Sequence, residues 1–136
     1  MEKPPLPPIP KSVFWLVVVS FFLQVAMIGV FREYRTRPIE DHFAFGWEMG
    51  RVARSIAVGQ GFSNPYGGNT GPTAWEPPLY PYLMAGVFKL FGIYTNASAW
   101  VLLTINSIFA SLTTIPIFLI ARRTFGDRVA RWSAWG

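Results

Sequence analysis

Glu76 is the only acid in the stretch from Gly59 to Tyr82, GQGFSNPYGGNTGPTAWEPPLYPY. The Gly and Pro punctuation of this stretch marks a loop. Its density of aromatic residues suits a loop shaped to hold something at a membrane surface better than a plain connector. Glu76 directly precedes Pro77-Pro78, where a helix start would favour a negative charge, so the carboxylate fits a cap as well as a reacting group. Upstream, Glu48 and Arg51 stand three residues apart and share a helix face with Ser55, which sets an acid beside a cation. As a surface pair alone they would contribute only about 0.3–0.5 kcal/mol. Arg54 lies one turn from Arg51, and Asp41 lies between Glu40 and His42, the only histidine. Trp75, Tyr80 and Tyr82 surround Glu76, although aromatics of this kind also anchor chains at membrane interfaces. With no Cys and a single His, neither a thiolate metal site nor a disulfide framework is open to this chain.

The elements that would position these groups follow from composition and periodicity. Apolar residues make up 51% of the 136 residues and charged residues 14%, against about a quarter charged in soluble domains. Twelve Phe and six Trp need lipid or a larger partner to cover them. Met1–Lys11, with five prolines, is an extended Pro-rich tail (1–11). Residues 12–31 are almost continuously apolar, enough for a helix across a bilayer core of ~20 residues, and longer than the apolar region of a signal peptide. Residues 97–121 form a second such span, with Pro116 as the expected kink, Ser98 as its N-cap and Asn106 as an intramembrane polar group facing other helices.

Between the spans, residues 32–96 form one loop region with two short amphipathic helices, near 46–58 and 79–91. In the first, Met49, Val52, Ala53 and Ile56 make the apolar stripe, with Gly59 and Gly61 as stop. In the second, Leu79, Leu83, Val87 and Leu90 make the apolar side. Both are too short to span and are expected on the membrane surface. Residues 122–136 carry Arg122, Arg123, Arg128 and Arg131 and then turn apolar, as the start of a third span. These arginines, with Lys3 and Lys11, put both the N-terminus and residues 122–136 in the cytoplasm. The loop then faces the outside or periplasm. The net charge of +5 is scattered, and no basic block with interleaved aromatics points to nucleic acid. The expected architecture is an all-α membrane protein with two transmembrane helices, two interfacial helices in the outer loop and the start of a third span, the N-terminal piece of something longer.

An anchor helix, a short amphipathic helix ending in G-x-G-F, an aromatic loop, E-P-P-L-Y-P-Y and a span ending in A-R-R-x-F-G occur here in that order. This order, carried by Phe43 to Ala134, resembles the N-terminal part of the membrane glycosyltransferases of the C-type fold. More narrowly it is similar to bacterial glycosyltransferase family 39 proteins, relatives of the protein O-mannosyltransferases and of the transferase that puts aminoarabinose on lipid A. The resemblance implies an integral, multi-pass protein of the plasma (inner) membrane. It implies transfer of a sugar from a polyprenyl-phosphate donor to a lipid, glycan or protein acceptor at the outer face, without a nucleotide sugar. Displacement at the anomeric carbon needs a carboxylate to take the acceptor proton and positive groups to hold the departing phosphate.

Carried over residue by residue, the resemblance is uneven. The family's acidic position, about two turns before Ala53, falls on Phe45 and Gly46. Glu48 and Asp41 are the nearest acids and are the candidate bases, with Arg51 and Arg54 for the phosphate. Glu76 matches an acid that the aminoarabinose branch carries before its paired prolines, close to a bound metal. Glu76 is thereby a third catalytic candidate, able to bind a divalent cation or position the acceptor. Trp75, Tyr80 and Tyr82 would stack on sugar or prenyl chain. The vacant acidic position also admits an alternative, a non-catalytic small membrane scaffold or a truncated, inactive copy; a piece of this size alone is expected not to catalyse.

Overall fold

The computed structural model of the chain describes residues 9–35, 45–66 and 68–134. All the regular structure there is helical: α1 (Lys11–Phe31), α2 (Trp47–Ala57), α3 (Leu79–Phe91), α4 (Asn96–Leu112), α5 (Thr114–Phe125) and α6 (Asp127–Ser133). Helix α1, at 21 residues, is about 30 Å long. Helices α4 and α5 run on as one apolar stretch of 30 residues. Only 11% and 17% of the most apolar windows of these two stretches are buried by the rest of the chain, far too little for core helices of a soluble protein. By length and composition both are suited to cross a membrane.

The α4–α5 interruption falls at Thr113, three residues before Pro116. Proline has no N–H to give the carbonyl of Leu112, so the ladder must lapse in the turn before it. There the Thr113 N–H is shared between the carbonyls of Phe109 and Ala110, both at 3.2 Å, and its hydroxyl donates to Ala110. At the start of α4, the N-cap is Thr95 rather than Ser98. Thr95 Oγ1 accepts the Ser98 N–H at 3.1 Å, and Ser98 Oγ accepts the Thr95 N–H at 3.1 Å. This is a reciprocal capping box with serine in the place of the usual glutamate.

The chain divides into two compact units, residues 27–105 and residues 1–26 with 106–136. In the second, Val13, Phe118, Ala121 and Ala130 make a small buried cluster. Gln24 Nε2 donates to Ser20 Oγ at 3.0 Å and to Ser111 Oγ at 3.1 Å, tying α1 to α4 through polar groups within apolar helices. Arg122 pairs with Asp127, the acid in the first turn of α6.

The larger unit holds the candidate site, and its core is the packing of α2 on α3. Val52 and Ala53 of α2 and Met84, Ala85 and Phe88 of α3 are buried. Phe45, just before α2, inserts among them, with ring centroids 5.3 Å from Phe88 and 5.3 Å from Tyr94. The Tyr94 hydroxyl donates to the Gly50 carbonyl at 3.1 Å. Gly50 makes this possible: a Cβ there would stand 3.0 Å from Phe45 Cβ and 3.1 Å from its carbonyl oxygen.

The buried face of α3 differs from the expected one. Val87 is buried and Leu83 partly so, but Leu79 and Leu90 are 83% and 80% exposed. The buried stripe runs through Pro81, Met84, Ala85 and Phe88, so Phe45 and α2 meet the helix a step round from its leucines. Leu79, Tyr82 and Leu90 are left on an exposed apolar side. Likewise Ser55, on the polar face of α2 by periodicity, is buried.

The glycines within α2 and α3 should therefore respond oppositely to alanine. Gly50→Ala forces the Phe45 backbone away and should destabilise by about 1–3 kcal/mol. Gly86→Ala, which meets nothing within 4 Å, should stabilise α3 by up to about 1 kcal/mol. Thermal unfolding of the detergent-solubilised chain measures both; equal effects would contradict this packing.

Candidate functional site

The site is assembled by a helix end and the loop that leaves it. Helix α2 closes in a Schellman motif: the Gly59 N–H bonds the Ile56 carbonyl at 3.1 Å and the Gln60 N–H bonds the Ser55 carbonyl at 2.8 Å. Gly59 sits at φ +86°, which a glycine takes without strain. The loop then folds back on itself. Ser63 and Pro72 form an antiparallel bridge, the Asn64 N–H bonds the Gly71 carbonyl at 2.9 Å, and the Thr73 N–H bonds the Phe62 carbonyl at 3.1 Å. The Trp75 N–H bonds Thr73 Oγ1 at 3.1 Å, turning the chain into Glu76 and the paired prolines that open α3.

This path brings the Glu76 carboxyl close to that of Glu48, in the first turn of α2, near enough for each to feel the other's charge. The Glu76 carboxyl is accordingly held above its ordinary value of 4.5. Loss of water around it is the first cause; the nearness of the Glu48 carboxyl and its like charge add to it. Of the sequence candidates, these two acids are brought together. Asp41 lies outside the described residues, as do Glu40 and His42.

Arg51 turns to aromatic surface rather than to Glu48. Its guanidinium carbon lies 4.8 Å from the centroid of the Trp47 ring, a cation–π contact, and its Nε is buried without a hydrogen-bond acceptor. Arg54 is exposed. Trp75, beside Glu76, is 69% exposed, and Tyr82 is exposed with its ring centroid 6.0 Å from that of Phe62. Tyr80 is half-buried against the α2–α3 core. Trp75 and Tyr82 are thus free to meet a ligand, while Tyr80 also serves the packing.

Among the described residues no group of three or more metal-ligating side chains comes together. Sequence reasoning missed Asn64 and Ser55, whose side chains join loop to helix at 3.4 Å. Asn followed by Pro, with glycines a few residues on, is the turn signal that could have found Asn64.

Among the described residues the regular structure is all helical, with two apolar stretches long enough to cross a membrane and two acids brought near each other in the region between them. Residues 75–135, a little under half of the chain, match the family model described as dolichyl-phosphate-mannose-protein mannosyltransferase. The match supports the glycosyltransferase family that the residues resemble, and with it a membrane glycosyltransferase of this type; it includes Glu76 and α3 to α6 but stops short of Glu48. No curated protein and no solved structure matches the chain.

The raised Glu76 value has a definite sign. The folded state holds that proton more tightly than the unfolded one, so its contribution to stability is full below 4.5 and is lost as pH rises through the raised value. Glu76→Gln keeps a hydrogen-bonding amide and removes the titration. The thermal stability of the native chain relative to this variant should fall with rising pH across that window. Parallel pH curves for the two would show that the carboxyls do not interact.

Proposed function

We propose that this chain is the N-terminal part of an integral membrane glycosyltransferase that moves a sugar from a polyprenyl-phosphate donor to an acceptor at the outer face of the plasma (inner) membrane. In this reading the chain is multi-pass with a cytoplasmic N-terminus, and the loop region between the spans faces outward. The observation that carries the reading is the meeting of Glu48 and Glu76 beside the exposed Trp75, with Glu76 inside the stretch that matches a mannosyltransferase family.

The chemistry follows from the groups. An acceptor hydroxyl oxygen attacks the anomeric carbon, the bond from that carbon to the phosphate oxygen breaks, and the hydroxyl proton passes to a carboxylate. Above its raised value Glu76 is ionised and can take that proton, and Glu48 holds it in place or shares the load. Loss of water and the nearby Glu48 charge make the Glu76 carboxylate a better proton acceptor than an exposed glutamate. Arg54, exposed one turn along α2, and Arg51, with its Nε lacking an acceptor, are the cations for the departing phosphate. Trp75 and Tyr82 give flat apolar surface to a sugar face or a prenyl chain. The acceptor is a lipid, a glycan or a protein.

Transfer from mannosyl-phosphoryl-polyprenol in membranes carrying the full-length protein tests this. Glu76→Gln and Glu48→Gln should each lower the rate by about 10²–10⁴-fold, the range for loss of a general base. Trp75→Ala should act mainly on donor or acceptor affinity. Undiminished transfer in both carboxyl variants would remove the pair from the mechanism.

A further inference from the structure

One side chain ties together several parts of the loop between α2 and α3. Asn64 sits at φ +59°, a left-handed conformation that asparagine tolerates far better than most residues. Its main chain donates to the Gly71 carbonyl at 2.9 Å, and its Oδ1 accepts the Gly71 N–H at 2.9 Å. Its Nδ2 donates to Gln60 Oε1 at 3.1 Å and to the buried Ser55 hydroxyl of α2 at 3.4 Å. One residue thus joins the two sides of the loop, at Asn64 and Gly71, and fastens them to the helix that carries Glu48. The pairing continues through Thr73 to Phe62 and through Trp75 to Thr73, which leaves Glu76 one residue beyond the last of these bonds.

We propose that Asn64 is a positioning residue: by clasping Gly71 and tying it to Ser55 of α2, it sets Glu76 against Glu48. It touches neither carboxyl and acts only through the loop. The side chains of Asn69 and Thr70, both exposed, take no part in this chain of bonds and do not bear on where Glu76 sits. The part played in sugar transfer rests on the function proposed above; the geometric part stands by itself.

The chain has no cysteine, which permits a direct test in membranes. A Glu48→Cys, Glu76→Cys pair is treated with a short bis-methanethiosulfonate cross-linker, and the intramolecularly linked fraction is measured. With Asn64 present it should be high. Asn64→Gly, which keeps the left-handed backbone accessible but removes the clasp, should lower it by about fivefold or more, the population shift expected when about one net hydrogen bond is lost. Asn64→Asp, which retains the acceptor for the Gly71 N–H, should recover much of it, and Asn69→Ala and Thr70→Ala should not change it. Ser55→Ala, a mild change within an intact helix, should give a smaller loss and covers the case in which Asn64→Gly does not fold. Unchanged cross-linking in both Asn64→Gly and Ser55→Ala overturns the proposal. In the protein that keeps both glutamates, Asn64→Gly should slow transfer from mannosyl-phosphoryl-polyprenol, with Asn64→Asp restoring it. If cross-linking falls as expected but Glu76→Gln leaves transfer intact, the clasp is real and the catalytic reading fails; the two failures are distinct.

Discussion

The burial of Phe45 between α2 and α3 is the contact on which the site depends. Its ring packs edge-on to Phe88 and beside Tyr94, and α2 can approach it only because residue 50 lacks a Cβ. Burying a ring of this size contributes on the order of 2–3 kcal/mol by area alone. It also selects which side of α3 faces inward. Once Met84, Ala85 and Phe88 are committed to that core, the chain before α3 comes back past the first turn of α2, and the acids at the two helix starts meet. The position that carries an acid in the family the chain resembles is here used for packing, and in the function proposed above the carboxylates are those of Glu48 and Glu76.

That exchange has an electrostatic consequence. Two carboxyl groups in contact cannot both be charged at no cost, and partial loss of water raises the cost further. The fold holds them together nonetheless, through hydrogen bonds that none of the acids makes: the helix-end motif at Gly59, the Asn64–Gly71 closure and the turn at Thr73. The cost of that closeness is sustained by bonds of ordinary strength in the loop and by apolar packing beneath it. Arg51 does not relieve the pair, since its guanidinium lies on Trp47.

Helices, loop and chemistry were legible to different degrees. The apolar runs of α1 and of α4–α5 are plain from composition, because a long uncharged stretch has few other uses. The stop at Gly59 was legible because only glycine suits that backbone. The inward side of α3 was not: leucine periodicity pointed to Leu79 and Leu90, which are exposed, because a helix rich in apolar residues on several sides takes its buried face from its partner. Glu48 and Glu76 were each singled out for local reasons, one for its neighbour Arg51 and the other for the prolines after it. That they would meet was not visible.

The sequence by itself determined that this chain is helical and membrane-bound, that a Gly/Pro/aromatic loop lies between its apolar stretches, and which acids that region has to offer. These are properties of composition and short-range spacing, and they need no partner to be true. Only the tertiary structure decided that Glu48 turns to Glu76 and not to Arg51, that Ser55 is covered, and that Asn64 holds the loop to the helix. Each of these joins residues nine or more positions apart, and such a contact depends on how two elements pack, which local pattern does not encode.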